Sequence, residues 1–142
     1  MAKLNPYVSF NGNAEEAFNF YKSVFGGDFP AVMRWGDNPQ CADFSAEDKN
    51  KIMHIALPVG DSVIMSSDHV DGVGDKFVAG NNFAVAIAPG SREEADRYFA
   101  GLSEGGKDAM PMQDMFWGGY YGHVTDKFGV RWMINYDSNQ GK

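Results

Sequence analysis

Apolar residues recur along this chain at two spacings, one typical of helices and the other typical of strands. Near the N-terminus, residues 5–11 (NPYVSFN) form a β-branched and aromatic run between turn formers, which predicts a strand. The apolar residues of the next segment recur at helical spacing: Ala17, Phe18, Tyr21, Val24 and Phe25. Three further runs predict strands, the last two of which form a hairpin: residues 29–35, 52–58 and 62–67.

The same order of elements then returns. Residues 68–81 are rich in glycine and aspartate and predict a linker, after which residues 82–89 predict a strand. A second helix is expected to run to about residue 104, with one apolar face: Ala95, Tyr98, Phe99 and Leu102. Three extended segments follow it: residues 107–113, 120–125 and 130–137. In the first half, residues 38–50 are polar and predict a loop with a short helical turn.

Polar residues and glycines define the expected ends of both helices. Asn13 and Ser91 each precede a helix, and each is followed three residues later by a glutamate, which is the spacing of a capping box. Glycine pairs at residues 26–27 and 105–106 are typical of helix C-termini.

The two halves also correspond in sequence. A Glu-Glu-Ala motif followed by two aromatic residues and a glycine pair begins at Glu15 and again at Glu93, an offset of 78 that grows to 79 at the glycines. Two amphipathic helices with similar capping would produce part of this match, but the shared order of strand, helix and three strands favours a repeat. The pattern predicts an α+β protein of two βαβββ modules, at about residues 5–68 and 82–137.

Composition narrows the range of partners. The chain has 12 Lys and Arg against 19 Asp and Glu, a formal net charge of −7, so a nucleic acid or an anionic membrane would be repelled. A single cysteine, Cys41, excludes an internal disulfide, and no apolar run approaches the roughly 20 residues that cross a bilayer. The N-terminus lacks the apolar region of a signal peptide. We expect a cytoplasmic protein that contacts neither nucleic acid nor membrane.

Three long strings carry a family resemblance: NPYVSFNGNAEEAFNFYKSVFGG, KIMHIALPVGDSVIMSSD and FWGGYYGHVTDKFGVRWMINY. They resemble the PhnB-like branch of the vicinal oxygen chelate superfamily, which includes glyoxalase I, bleomycin-resistance proteins and extradiol dioxygenases. The resemblance covers nearly the whole chain. It implies a single domain, residues 1–142, in which the two modules form a cupped mixed β-sheet with the helices on its outer face. It also implies a homodimer.

Sequences similar to this one have carried a demethylubiquinone methyltransferase label. A methyl-donor site of the usual kind needs a glycine-rich loop that joins a strand to a helix. The only comparable glycines, Gly72 and Gly74, lie in the linker and precede another strand. We therefore expect no methyltransferase activity.

The resemblance also bears on metal binding. Metalloenzymes of the superfamily take four ligands, typically histidines and glutamates, from the first and last strand of each module. In this chain those positions correspond to Tyr7, Met65, Phe83 and Met133. Phenols, phenyl rings and thioethers are poor ligands for hard or borderline divalent cations, and neighbours such as Ser66 or Asp68 would supply one ligand rather than a set. We expect no metal and no cofactor.

Three histidines remain as candidates for chemistry. Strand alternation turns His54 toward the cup if Ile55 and Leu57 pack on a helix, and His123 occupies the analogous strand of the second half. Each is expected to be either a hydrogen-bonded residue of the pocket wall or a group that binds a metal or transfers protons. His69 lies in the linker, between aspartates, and is expected to be solvated.

Alternation also predicts which side chains line the cup. If Met133 faces inward, so do Arg131 and Asn135, while Trp132 and Ile134 pack on a helix. Arg131 is expected to bind a carboxylate, phosphate or phosphonate, or else to pair with an acidic residue of the chain. The full predicted pocket is Tyr7, Ser9, His54, Met65, Ser67, Trp117, Tyr121, His123, Arg131, Met133 and Asn135.

These residues favour binding over turnover. We expect a metal-independent binder of a small organic ligand, aromatic or anionic, because the predicted cup holds aromatic rings and one cation but no acid and base pair. The alternative is a metal-dependent lyase, isomerase or dioxygenase in which His54 or His123 holds the ion. Cys41 would act as a nucleophile only if His54 approached it, and we expect a spectator thiol.

Overall fold

The computed structural model describes residues 2–138, and the chain divides into two units, Met1–Gly80 and Asn81–Lys142. Each unit contains one four-stranded mixed sheet with a long helix against it. The α+β class and the repeated order of strand, helix and three strands are confirmed.

The first unit carries five main elements and a short helical excursion. The strands are β1 (Tyr7–Phe10), β2 (Ala31–Arg34), β3 (Ile52–Val59) and β4 (Ser62–Asp68), and the long helix is α1 (Ala14–Phe25). The sheet order is β1-β4-β3-β2, with β1 parallel to β4 and the other pairs antiparallel. The predicted polar loop between β2 and β3 contains two 3-10 turns, Trp35–Asp37 and Pro39–Cys41, and α2 (Ala46–Asn50).

The second unit repeats this topology. Its elements are β5 (Val85–Ile87), α3 (Arg92–Ser103), β6 (Lys107–Asp114), β7 (Tyr120–Thr125) and β8 (Arg131–Tyr136). The sheet order is β5-β8-β7-β6, again with the first strand parallel to the last. Because parallel neighbours need a crossover, each helix connects the first strand of its sheet to the rest.

Amphipathic helices form the core of each unit. The buried residues of α1 recur at helical spacing and lie against β3, where Ile55 and Leu57 are fully buried. In the second unit, α3 buries Ala95, Tyr98 and Leu102 and lies against β7 and β8. None of the helices in the described part of the chain is long and apolar enough to cross a bilayer.

Helix capping follows the prediction only in part. Asn13 is the residue before α1, but its side chain caps nothing; the carboxylate of Asp68 accepts the Ala14 N–H instead, at 2.9 Å. Ser91 caps α3 as predicted, since its hydroxyl accepts the Glu94 N–H at 3.1 Å. The Glu94 carboxylate reaches back one residue further than a capping box requires, to the N–H of Gly90 at 3.0 Å.

The predicted strand over residues 82–89 is much shorter in the structure. Only Val85–Ile87 pair with β8, and Phe83 precedes the ladder with 53 % of its surface exposed. Ala86, not Phe83, is therefore the residue opposite Met133. The placement of Phe83 at that position was wrong, because register is decided by pairing with a strand about 47 residues away rather than by distance from the helix.

Candidate functional site

In the first unit, the face of the sheet that points away from α1 carries a tyrosine and a histidine. Tyr7 is opposite Met65 on the neighbouring strand, and Met65 is opposite Ala56. The rings of Tyr7 and His54 approach to 6.3 Å between centroids. Their strand neighbours Val8 and Ile55 are buried on the other side, so alternation places these side chains on one face.

All five predicted pocket residues of the first unit belong to this helix-free face. Ser9 is opposite Ser67, just as Tyr7 is opposite Met65. His54 shares the face through its contact with Tyr7. The burial pattern of β1, exposed and buried in turn, agrees with this assignment.

The second unit presents a similar face. Tyr121 is opposite Asn135, and His123 is opposite Met133, while the intervening Trp132 and Ile134 are buried toward α3. Parity thus places the predicted residues of β7 and β8 together, Arg131 included.

Three rings form a row along this second face. Trp117 meets Tyr121 at 6.2 Å between centroids and an interplanar angle of 66°, and Tyr121 meets His123 at 6.0 Å and 64°. Edge-to-face pairs of this kind are a favourable arrangement of aromatic rings. The row begins in the loop between β6 and β7 and continues along β7.

Neither the imidazole of His54 nor that of His123 is hydrogen-bonded to the described residues. Residues 2–138 therefore do not supply the partner expected for a hydrogen-bonded wall residue. The other alternative, a group that binds a metal or transfers protons, stays a prediction. Each is opposite a methionine on the outer strand of its sheet, Met33 for His54 and Met110 for His123. Sequence reasoning missed these two methionines; the period-2 pattern of the outer strands was the available signal.

Arg131 is bound by a backbone group rather than by a carboxylate. Its Nη1 donates to the carbonyl of Asn81 at 2.9 Å. Among the described residues no acidic side chain forms an ion pair with it. The guanidinium is exposed and keeps further N–H donors for a ligand.

The strand positions that serve as metal ligands in the superfamily do not fit a divalent cation. In the first unit they are Tyr7 and Met65, and in the second Ala86 and Met133. A neutral phenol, a methyl group and two thioethers offer no hard or borderline ligand set. Within residues 2–138 no three His, Cys, Asp or Glu side chains are grouped closely enough to hold a metal.

Asp68 is a structural residue rather than a spare ligand. It is 3 % exposed, and its two carboxylate oxygens accept the backbone N–H groups of Gly12, Ala14 and Ile52 at 2.9–3.0 Å. Both oxygens are therefore occupied by backbone donors.

His69 is not solvated, contrary to the prediction. Its side chain is 14 % exposed, its Nε2 lies 3.2 Å from Oδ1 of Asp71, and its ring meets Phe77 at 6.2 Å. These residues line an open cavity of about 380 Å³ together with Asn11 and Lys76. Cys41 is buried, and within the described chain no hydrogen bond joins its thiol to His54.

An exposed cluster stands at the base of the loop that carries Trp117. Arg92 donates to both oxygens of Asp114, at 2.7 and 3.3 Å, and its guanidinium lies 3.9 Å from the ring centroid of Tyr120. The Tyr120 hydroxyl donates to Asp96 at 2.5 Å. The hydrogen bond from Arg92 lowers the pKa of Asp114, and the hydrogen bond to Asp96 raises the pKa of Tyr120.

These features identify the class of protein. Two repeated units of strand, helix and three strands give the fold found in solved structures of glyoxalase/bleomycin-resistance proteins. Residues 2–135 match the family described as 3-demethylubiquinone-9 3-methyltransferase, and the chain belongs to this PhnB-like family.

Similarity to individual proteins agrees with this family assignment. The chain is 34 % identical to protein YjdN of Escherichia coli (strain K12) over 140 residues, 93 % of each chain. The crystal structure of PA1353 from Pseudomonas aeruginosa has 37 % identity and a TM-score of 0.80, covering 96 % of this chain and 98 % of that one. A PhnB protein from Bacillus cereus has 24 % identity and a TM-score of 0.73, with 95 % and 99 % covered.

The wider superfamily shares the fold alone. A glyoxalase/bleomycin resistance protein from Albidiferax ferrireducens has 17 % identity and a TM-score of 0.62, covering 94 % of this chain and 98 % of that one.

Proposed function

We propose that this protein binds a small aromatic or anionic organic molecule, without a metal ion, on the helix-free faces of its sheets. One observation carries the proposal: these faces hold polar groups that the described chain does not itself engage. They are the imidazoles of His54 and His123 and the side-chain oxygen of Asn135. Polar groups next to aromatic rings are the usual lining of a small-molecule site.

The helix-free face of the second unit offers two kinds of contact. Tyr121 and Trp117 provide ring surfaces on which a planar ligand stacks. Arg131 provides the positive charge. Its side chain makes one hydrogen bond within the described chain, to the Asn81 carbonyl, so its other N–H groups remain available to a ligand. A guanidinium with free donors binds a carboxylate, phosphate or phosphonate through paired hydrogen bonds. The aromatic and anionic preferences therefore come from different residues and are separable by mutation.

Metal independence is supported by donor chemistry. The positions that would present ligands carry Tyr7, Met65, Ala86 and Met133, of which none is a useful ligand for Zn²⁺, Mn²⁺ or Fe²⁺. The rival function is a metal-dependent lyase, isomerase or dioxygenase in which His54 or His123 supplies a ligand. That function would need further ligands beside the histidine, and within residues 2–138 no three His, Cys, Asp or Glu side chains are grouped closely enough to hold a metal ion.

The methyltransferase description of the family finds little support in this chain. Gly72 and Gly74 follow β4, and the next element is the strand β5 rather than a helix. A phosphate or methyl-donor loop of the usual kind uses the N–H groups of a helix N-terminus, which this segment lacks.

Intrinsic fluorescence tests the proposal directly. The protein is treated with EDTA, checked by elemental analysis, and titrated with benzoate and phenylphosphonate, followed by Trp117 emission. We expect saturable quenching without metal, and an affinity about tenfold or more lower in Arg131→Ala, because the anion loses a charged hydrogen-bond donor. Arg97→Ala, which removes an exposed arginine that pairs with Glu94, is the matched control and should bind as the wild type does.

The rival function, a metal-dependent enzyme, predicts a different result in the same fluorescence titration. Quenching that appears only after Zn²⁺, Ni²⁺, Mn²⁺ or Fe²⁺ is added, with metal uptake lost in His54→Ala, would replace the binder by a metalloenzyme. Equal affinities in Arg131→Ala and wild type would remove the role of Arg131 while leaving the aromatic part of the proposal standing.

A further inference from the structure

The loop between β6 and β7 folds its tryptophan back over the sheet. The loop closes through the Met115 N–H donating to the Gly119 carbonyl at 2.8 Å and the Gly118 N–H donating to the Met115 carbonyl at 3.0 Å. Phe116 at its tip is 99 % exposed, whereas Trp117 is 47 % exposed and lies against Tyr121. Of the two adjacent aromatic residues, only Trp117 is partly covered by the sheet.

Gly119 makes room for this arrangement. A β carbon at Gly119 would overlap the six-membered ring of Trp117 and lie 2.5 Å from Oδ1 of Asn135. The backbone of Gly119 is outside the left-handed region, in contrast to that of Gly118 at φ +98°, so its glycine is required for space rather than for conformation. The indole of Trp117 and Oδ1 of Asn135 thus both lie next to Gly119.

The Asn135 amide next to Gly119 has an unused acceptor. Oδ1 of Asn135 is buried and accepts no hydrogen bond. Buried polar atoms are nearly always paired, and an unpaired one destabilises the state in which it occurs. Asn135 is the register partner of Tyr121, the middle ring of the row. A group that donates a hydrogen bond to this oxygen would relieve the penalty.

We propose that Trp117 is a lid over Asn135, and that Asn135 selects ligands that carry a hydrogen-bond donor beside a planar ring. The inference rests on the proposed function and specifies its ligand further. In the closed state the indole covers the amide. When a ligand enters, the loop carries the indole aside, the ligand's hydroxyl or amino group donates to Oδ1 of Asn135, and its ring stacks on Tyr121.

Two probes that differ in one donor test the selection. The ligand 4-hydroxybenzoate carries a ring, a carboxylate and an O–H donor, and 4-methoxybenzoate has a methyl group in place of the hydroxyl hydrogen and so lacks the donor. Calorimetric titration of the wild type should give about tenfold tighter binding of the hydroxy compound. The preference should fall below about twofold in Asn135→Leu, which has neither acceptor nor donor, and persist in Asn135→Asp, which keeps the acceptor.

Gly119→Ala tests the lid separately and without ligand. The added methyl group should displace the indole, so acrylamide quenching of Trp117 should rise about twofold. The part of the signal that disappears in Trp117→Phe identifies the Trp117 contribution, since Trp35 and Trp132 also emit. Circular dichroism spectra of the variants confirm that they are folded.

The outcomes separate this inference from the proposed function. Binding of both probes with equal affinity, or an undiminished preference in Asn135→Leu, would overturn the selection by Asn135 while leaving ligand binding in place. Binding of neither probe would overturn both. Quenching in Gly119→Ala equal to that of the wild type would overturn the lid.

Discussion

The carboxylate of Asp68 connects three parts of the first unit. One oxygen accepts the N–H groups of Gly12 and Ala14 where α1 begins, and the other accepts the N–H of Ile52 where β3 begins. These hydrogen bonds are charge-assisted, and a negative charge near a helix N-terminus is also favoured by the helix dipole. One side chain therefore satisfies three backbone donors that the sheet and the helix leave unpaired.

Replacing Asp68 should strongly destabilise the protein. We expect Asp68→Ala to lower the free energy of unfolding by about 3 kcal/mol or more, because three N–H groups lose their acceptor and at least two are buried. Urea unfolding followed by circular dichroism measures this. Asp43→Ala, at an exposed position, is the control and should change the value by less than about 0.5 kcal/mol. Equal stability of the two variants would contradict the assigned role.

At the scale of elements, the loop between β6 and β7 is anchored through α3. Asp114 and Tyr120 are the residues on either side of the loop and are register partners. Arg92, in the first turn of α3, holds the carboxylate of one and lies over the ring of the other. The helix thus controls the base of the loop from which Trp117 extends.

Removing this anchor should loosen the loop without unfolding the protein. We expect Arg92→Ala to increase acrylamide quenching of Trp117 by about half, with little change in the free energy of unfolding, since exposed ion pairs contribute little to stability. Arg97→Ala is the matched control on the same helix. Unchanged quenching in Arg92→Ala would show that the loop is held by other contacts.

Lowering the pH should loosen the loop between β6 and β7 of the wild-type protein, as Arg92→Ala does at neutral pH. Because Arg92 holds the pKa of Asp114 below its usual 3.8, the pair is intact above that pH and is lost as the pH falls through the lower folded-state value. The rise in quenching should therefore occur below about pH 3.8 in the wild type and be absent in Arg92→Ala.

At the scale of the whole molecule, several large apolar side chains are exposed. Tyr7, Met33 and Met133 are each at least 40 % exposed on helix-free sheet faces, and Phe83 and Phe116 are exposed outside the strands. Such residues mark sites of association or ligand binding when they form a patch. We propose that the protein is a homodimer, as the family resemblance implies.

Light scattering after size exclusion tests the dimer. We expect about twice the 15.6 kDa of one chain, and no loss of the dimer in 1 M NaCl, because apolar association is not screened by salt. A mass of one chain at every concentration would contradict the proposal. Dissociation by salt would instead indicate an interface formed by charges.

Local patterns were enough to predict much of the fold. Helical spacing identified α1 and α3, and glycine pairs marked their ends. Alternation along β8 correctly separated buried Trp132 and Ile134 from Met133, because successive strand residues point to opposite faces whatever the rest of the chain does. The same parity assigned the candidate residues of each unit to a helix-free face.

Long-range pairing decided the rest. Asp68 replaced Asn13 as the cap of α1 because a carboxylate 54 residues away in sequence is brought to the helix N-terminus by the strand β4. Ala86 replaced Phe83 opposite Met133 because the register of a parallel pair is set between the strands. The contact of Trp117 with Gly119 and Asn135 likewise joins a loop to a separate strand.

Sequence alone determined the elements and the side of each strand that a residue occupies, since these depend on neighbours in the chain. Only the tertiary structure decided which polar groups are satisfied and which, like the Asn135 oxygen, are left unpaired in the described chain, since those depend on residues that are distant in sequence.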